Sequence, residues 1–180
     1  GGGELTRQHH GPIDGPIDGP ADDPPVEFWP TASIRAALES GDIAIWQRIV
    51  MAVKRDPYGR TARQVEEVLE VAAPYGVSRA LNEVLGRARR HLEANERAEA
   101  ARHVRLLLER SGLTEPEFAS RIGVTGGDLS AYLDSTVSPP ASLMIRMRRL
   151  SDRFAKMRAQ RAQEQNRDEA HGDYPEPDSR

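Results

Sequence analysis

Residues 113–133 read LTEPEFASRIGVTGGDLSAYL, and their pattern predicts two short helices joined by a tight turn. Apolar residues recur at helical spacing in each half, which gives each helix one face suited to burial. The small Ala119 lets the second helix cross closely over the first. The stretch therefore predicts a bihelical unit with helices at 115–122 and 126–133.

Capping residues mark the ends of both helices. Thr114 and Glu117 form a capping-box pattern, in which the threonine hydroxyl accepts a backbone N–H that has no partner within the helix. Pro116 fits the first turn because its missing N–H would have no helical partner there. Gly123 supplies the left-handed residue that ends a helix, and Thr125 is placed to cap the next one. These local signals set the predicted boundaries.

This pattern resembles the helix-turn-helix of the Cro/C1-type (XRE-like) transcriptional regulators. The resemblance covers about a third of the chain, from about residue 98 to about residue 153. It includes a predicted helix before the unit and a Pro-Pro helix start after it. The positions that carry it are Ala119, Gly123, Val124, Thr125, Leu129, Ser130 and Tyr132.

In that family the second helix of the unit lies in the DNA major groove. The resemblance therefore implies a five-helix domain that binds double-stranded DNA and has an extended basic helix at its C-terminal side. Helix 126–133 would enter the groove, while helix 115–122 would lie across the DNA backbone. The implied base-contacting residues are Thr125, Gly126, Gly127, Asp128 and Ser130.

Two of these five positions are glycines, which offer no side chain to a base and cost about 1 kcal/mol each in helix stability relative to alanine. They would instead let the backbone approach the groove closely. Asp128 accepts a hydrogen bond from a cytosine amino group in one interpretation and stabilises the start of its own helix in another. Sequence-specific reading then depends on few base contacts together with DNA shape.

Charge is distributed unevenly along a chain whose net charge is −3. Both ends are acidic, whereas residues 98–161 carry eleven basic and seven acidic side chains. DNA responds to the local field of a folded face more than to the total charge. We therefore expect phosphate contacts from this region, and the candidates are Arg121, Arg146, Arg148 and Arg149. In the other interpretation, these arginines only keep a helix face solvated.

The remaining chain predicts further helices. Capping residues and apolar periodicity place helix starts near Ser33, Asp42, Thr61 and Ser78. No alternating stretch indicates a strand, so the predicted fold is all-α, with disordered acidic ends. The predicted domains are a low-complexity tail at 1–27, a helical accessory domain at 28–95, the helix-turn-helix domain at 96–162 and an acidic tail at 163–180.

An apolar stripe follows the helix-turn-helix. Leu143, Met147, Leu150, Phe154 and Met157 are separated by steps of four, three, four and three residues, which is the seam of about two heptads. Its first half is predicted to be core of the same domain. The half beyond Leu150 is long enough to contact a second subunit, so a homodimer is an open alternative.

Composition excludes several functional classes. The chain has no cysteine, which rules out disulfides and cysteine zinc sites, and no apolar run approaches the roughly 20 residues of a membrane helix. Phosphate-loop, nucleophile-elbow and metalloprotease motifs are missing. We therefore expect no enzyme activity, no cofactor, no metal and no membrane partner, with a cytoplasmic, nucleoid-associated location.

The sequence thus predicts a DNA-binding transcriptional regulator whose partner is double-stranded DNA. Two alternatives stay open. One is a protein-interaction module on a helix-turn-helix scaffold, for example an antitoxin-like partner binder, with the 28–95 domain contacting another protein. The other is a non-specific architectural DNA binder that relies on its arginines alone.

Overall fold

The computed structural model describes residues 24–71 and 77–172, which are predominantly helical and contain no strand. A short 3-10 helix at Val26–Phe28 precedes the α-helices. The α-helices are α1 (Thr31–Ser40), α2 (Ile43–Arg55), α3 (Arg60–Val71), α4 (Val77–Ser111), α5 (Glu115–Ile122), α6 (Gly126–Leu133) and α7 (Ala141–Gly172). The predicted all-α class is confirmed for this part of the chain.

The chain divides into two compact units, Gly1–Glu93 and Ala94–Arg180. In the first unit α1, α2 and α3 pack on one another, and the 3-10 helix packs on α2 and α3. Their apolar faces meet in one buried core, to which the start of α4 also contributes. The core residues are Val26, Trp29, Ile34, Ala37, Leu38, Ile49, Ala52, Val53, Ala62, Val65, Val68, Leu69, Leu81 and Leu85.

One predicted cap in this unit is confirmed and three are wrong. One of the three is Ser78, which lies inside α4 because that helix already includes Val77. The Asp42 carboxylate accepts a hydrogen bond from the Ala44 N–H at 3.0 Å and caps α2 as predicted. However, α1 and α3 begin before Ser33 and Thr61, and both of these side chains are buried. Burial in the core, which local sequence does not reveal, decides the positions of these two residues.

Arg89 of α4 joins α3 through a bidentate ion pair. Its two Nη atoms donate to the two carboxylate oxygens of Glu66 at 2.9 and 2.8 Å, and its Nε donates to the Pro57 carbonyl oxygen at 2.9 Å. The hydrogen bond from Arg89 lowers the pKa of Glu66 below its ordinary value. Because the folded state favours the carboxylate, the pair stabilises the first unit at neutral pH.

The second unit comprises the end of α4 with α5, α6 and α7. The described residues of this unit thus form four helical segments, where the resemblance implies five. The division before Ala94 lies two residues ahead of the predicted domain boundary. The polar stretch around that boundary is part of the 35-residue helix α4. Its alanine and glutamate residues favour a continuous helix.

Part of each predicted disordered tail is ordered in the described residues. Helix α7 continues to Gly172, so the prediction of disorder is wrong for 163–172. Alanine, glutamine, glutamate and arginine have high helix propensity, and no proline occurs between Pro140 and Pro175. Val26 is buried in the first core, so the 1–27 tail is also wrong at its end. The predicted disorder of 1–23 and 173–180 lies outside the described residues.

Among the described helices, none is both long enough and apolar enough to cross a membrane.

We expect Glu66→Gln to lower the free energy of unfolding of the first unit by about 1 kcal/mol at neutral pH, a modest value because Glu66 is 41% exposed. A lowered carboxylate pKa gives stability that is present above the unfolded value of 4.5 and is lost as pH falls through the folded pKa. The difference in melting temperature between Glu66→Gln and wild type should therefore shrink as the pH is lowered below 4.5.

Tryptophan fluorescence measures this unfolding selectively, because both tryptophans, Trp29 and Trp46, belong to the first unit. Glu67→Gln is the matched control, since Glu67 is exposed and adjacent in sequence. A difference between Glu66→Gln and wild type that stays constant down to pH 3 would contradict the assignment.

Candidate nucleic-acid interface

Helices α5 and α6 begin and end at the predicted residues, and their N-terminal caps are confirmed. The Thr114 hydroxyl accepts from the Glu117 N–H at 3.4 Å, and the Thr125 hydroxyl accepts from the Asp128 N–H at 3.0 Å. Each bond satisfies a backbone donor that has no partner inside its helix. Threonine thus fixes the first residue of both helices.

The turn between the helices depends on Gly123. Its φ of +83° is left-handed, and its N–H donates to the Ala119 carbonyl oxygen at 3.0 Å. The Val124 N–H donates to the same oxygen at 3.0 Å, which closes the end of α5. Because only glycine adopts this conformation without strain, the residue sets the direction in which α6 leaves the turn.

The inner faces of both helices are buried in the core of the second unit. Phe118 and Leu129 are almost fully buried, and α5 packs on both α6 and α7. This core contains Val104, Phe118, Ala119, Ile122, Leu129, Leu133, Leu143, Met147 and Leu150. Tyr132 is half-buried against the same cluster. The packing therefore determines which side of α6 faces solvent.

That outer side is exposed at each predicted base-contacting position: Thr125, Gly126, Gly127, Asp128 and Ser130. An open groove of about 670 Å³ lies between α5 and α6 next to these positions. Its lining consists of Glu115, Pro116, Ala119, Ser120, Val124, Gly126 and Ser130. Small side chains predominate, so the backbone of α6 is accessible to a large partner.

Neither glycine at the start of α6 is needed for the fold. A Cβ atom at Gly126 would have no neighbour within 4 Å, and one at Gly127 would meet only the Thr125 hydroxyl oxygen at 3.8 Å. Positive φ angles in this turn are confined to Gly123. Alanine would fit both positions and would suit a helix better. Neither space nor backbone conformation therefore requires glycine at these two positions.

Acidic side chains outnumber basic ones in the segment that contains the groove, and Glu115 lines the groove itself. Residues 113–145 contain four acidic side chains and a single basic one. The carboxylates of Glu115 and Asp128 are exposed and form no hydrogen bond or ion pair within the described part of the chain. At the start of α6 the Asp128 carboxylate is therefore a free acceptor, which suits a donor such as an amino group and repels a phosphate.

Two of the four predicted phosphate-binding arginines are engaged within the protein. Arg121 lies 3.4 Å from the Glu117 carboxylate, and its guanidinium lies 5.0 Å from the centre of the Phe154 ring. This places it on the side of α5 opposite the groove. Arg146 donates to the Ile122 carbonyl oxygen at 2.9 Å and so satisfies the C-terminal end of α5.

The other two, Arg148 and Arg149, are exposed on α7 and have no hydrogen bond or ion pair among the described residues. Adjacent residues on a helix are separated by about 100°, so these two side chains leave α7 in different directions. They are the predicted arginines with all their donors available to an anion.

Two further arginines lie near α6, and the predicted set does not contain them. Arg105 donates to the Leu133 carbonyl oxygen at 3.1 Å, and Arg97 donates to the Ser135 carbonyl oxygen at 3.2 Å. Each guanidinium has five N–H groups, so donors remain after one bond is made. No sequence signal connects these α4 residues with α6, because only the tertiary packing brings them together.

Comparisons with protein-family models, with curated proteins and with solved structures give no match for this chain. The resemblance to the Cro/C1-type regulators therefore stays a prediction. Within residues 24–71 and 77–172, no group of three histidine or acidic side chains is placed to hold a metal ion.

We expect Gly126→Ala and Gly127→Ala to raise the stability of the second unit, each by up to about 1 kcal/mol, because alanine is the better helix former and both sites have room. Gly123→Ala is the matched contrast and should destabilise by about 1 kcal/mol, since its φ is positive. Chemical denaturation followed by circular dichroism measures all three. Equal losses in all three variants would contradict the geometry.

Proposed function

We propose that the second unit binds double-stranded DNA with the N-terminal half of α6 in the major groove, as a transcriptional regulator would. One observation carries the proposal: Leu129 and Leu133 bury the inner side of α6, while its outer side is exposed and no described helix covers it. A short helix held in this way has the dimensions that the major groove admits.

The chemistry of α6 favours reading by a few contacts. Gly126 and Gly127 allow the backbone to come close to the base edges. The Asp128 carboxylate is a pure acceptor and pairs with the amino group of cytosine, while the Ser130 hydroxyl both donates and accepts. Close approach together with one acceptor at a defined position supports preference for a cytosine.

Phosphate contacts would come from arginines around α6. Arg97 and Arg105 are held at its C-terminal end by their bonds to backbone carbonyl oxygens. Arg148 and Arg149 have no partner within the described chain. Backbone contacts fix register and supply most of the affinity, whatever the sequence of the duplex. These four residues would offset the acidic charge next to the groove.

A second candidate function is supported by that same acidic charge. A helix-turn-helix scaffold with four carboxylates and one arginine over residues 113–145 also suits a basic protein partner. In this alternative the groove between α5 and α6 binds a cationic segment of another protein instead of DNA.

The deciding experiment is selection of DNA sites from a random or genomic library with the full chain, followed by titration of the enriched site over a range of salt concentrations. The proposal expects an enriched site that binds at least about tenfold more tightly than random DNA. Equal, salt-dependent affinity for all sequences would indicate the architectural alternative. No binding at low salt would reject DNA as the partner and favour the protein-binding alternative.

Asp128→Asn should change base preference. Asparagine pairs with adenine, whereas aspartate accepts a hydrogen bond from cytosine. At one position of the enriched site, the variant should therefore prefer adenine over cytosine by about tenfold in affinity. Affinity for random DNA should rise as well, because a negative charge near phosphates is removed. Glu109→Gln removes the same charge elsewhere on the second unit and should leave the preference unchanged. An unaltered preference in Asp128→Asn would contradict base reading by this residue.

Replacing Arg148 and Arg149 together by alanine should weaken binding to all sequences alike. Each lost phosphate contact should flatten the slope of log affinity against log salt by about one unit. The control is the pair Arg35→Ala and Arg79→Ala, which removes two exposed arginines from the first unit. A slope equal to that of wild type would show that the two α7 arginines do not contact phosphates.

A further inference from the structure

The second half of α7, Lys156–Gly172, lies outside the core of the second unit. Its one hydrogen bond to another described helix runs from the Arg158 guanidinium to the Arg110 carbonyl oxygen of α4. The buried residues of α7 are Leu143, Met147, Leu150 and Ser151. From Lys156 to Gly172 each residue is exposed, which leaves 17 residues, or about 25 Å of helix, surrounded by solvent. An isolated helix of this length is only marginally stable in water.

The core-facing stripe of α7 continues along this exposed half with unbroken heptad spacing. Steps of four and three residues lead from Leu150 through Phe154 and Met157 into charged positions. The continuing seam positions are Phe154, Met157, Arg161, Glu164 and Asp168. A stripe with this period faces one direction, as the seam of a two-stranded coiled coil does. Met157 is 43% exposed, so the apolar part of the seam extends beyond the unit's own core.

The charge order along the exposed half has two parts. Four basic side chains and no acidic one occur at 153–161, whereas 162–172 contains three acidic side chains and one arginine. Acidic residues close to a helix C-terminus oppose the helix dipole. The end of α7 therefore lacks the charges that would stabilise it alone, and a partner with the opposite order of charges would supply them.

A second copy of this chain has that order when it runs in the opposite direction. In a parallel pair, Arg161 would face its own equivalent, and so would Glu164 and Asp168. In an antiparallel pair centred between residues 162 and 163, Arg161 of each copy faces Glu164 of the other. The pair therefore contains two equivalent contacts between opposite charges. Met157 then covers the Asp168 position. Phe154, which is half-buried against its own unit's core and stacked by Arg121, lies at the end of the pair opposite His171. The seam therefore repels a parallel partner and attracts an antiparallel one.

We propose that two copies of the protein associate through residues 154–171 of α7 in an antiparallel coiled coil. The seam is short and its ion pairs are exposed to solvent, so each pair contributes at most about 1 kcal/mol. The dimer is therefore expected to be weak, with a Kd of about a millimolar, and should weaken further as salt is raised. This inference does not depend on whether the groove beside α6 binds DNA.

Charge exchange within one chain tests the direction of the pair. Arg161→Glu and Glu164→Arg each place like charges opposite one another and should weaken dimerisation by about tenfold or more. The double variant Arg161→Glu/Glu164→Arg restores opposite charges only in the antiparallel arrangement and should recover the wild-type dimer. Sedimentation of the full chain measures this. Lys156→Glu, about 120° from the seam, is the control and should leave the dimer intact.

Cysteine crosslinking gives a second test. Because the chain has no native cysteine, only the introduced cysteines are able to form a disulfide. Met157→Cys and Asp168→Cys should form a disulfide when the two variants are mixed and oxidised. Met157→Cys alone should not, because its equivalents would be about 16 Å apart along the seam, beyond the reach of a disulfide. Efficient self-crosslinking of Met157→Cys, or a monomeric wild type at high concentration, would overturn the proposal. So would failure of the double charge variant to recover the dimer.

Discussion

Burial of Leu129 and Leu133 is the constraint on which the second unit depends. An eight-residue helix such as α6 is not stable alone, so its packing on α5 and on the common core holds it in place. The left-handed Gly123 sets the angle at which α6 leaves α5. Once the inner side is fixed, the positions from Gly126 to Ser130 that remain outside are fixed as well. Any function of this surface follows from that orientation.

The charged side chains on and around α6 determine which partners its exposed side is able to bind. Asp128 places one acceptor at the start of α6. The arginines proposed to contact phosphates lie on other helices, Arg97 and Arg105 on α4 and Arg148 and Arg149 on α7. Two predicted phosphate ligands, Arg121 and Arg146, have internal roles: one stacks on Phe154 and the other closes the end of α5. A protein built in this way would gain affinity from a few peripheral cations and preference from close approach at the glycines.

Local chemistry explains which features were predictable from the sequence. The confirmed caps and the turn involve backbone groups no more than four residues away in sequence, so they follow from the sequence alone. The residues concerned are Asp42, Thr114, Gly123 and Thr125. Long-range contacts were not predictable. Thr61 has the signature of a cap but is buried in a core, and Arg97 and Arg105 reach α6 only through the fold. The continuity of α4 and the length of α7 depend on helix propensity summed over many residues. Short sequence motifs do not predict this sum.

The most direct test of the outward orientation of α6 is DNA cleavage by a probe attached to the protein. An iron chelate that generates hydroxyl radicals is coupled to single cysteines at Ser130→Cys and, on the far side of α5, at Arg121→Cys. With the selected site bound, the probe at residue 130 should cut within that site, and the probe at residue 121 should cut weakly or not at all. Strong cleavage from residue 121 with none from residue 130 would contradict the account.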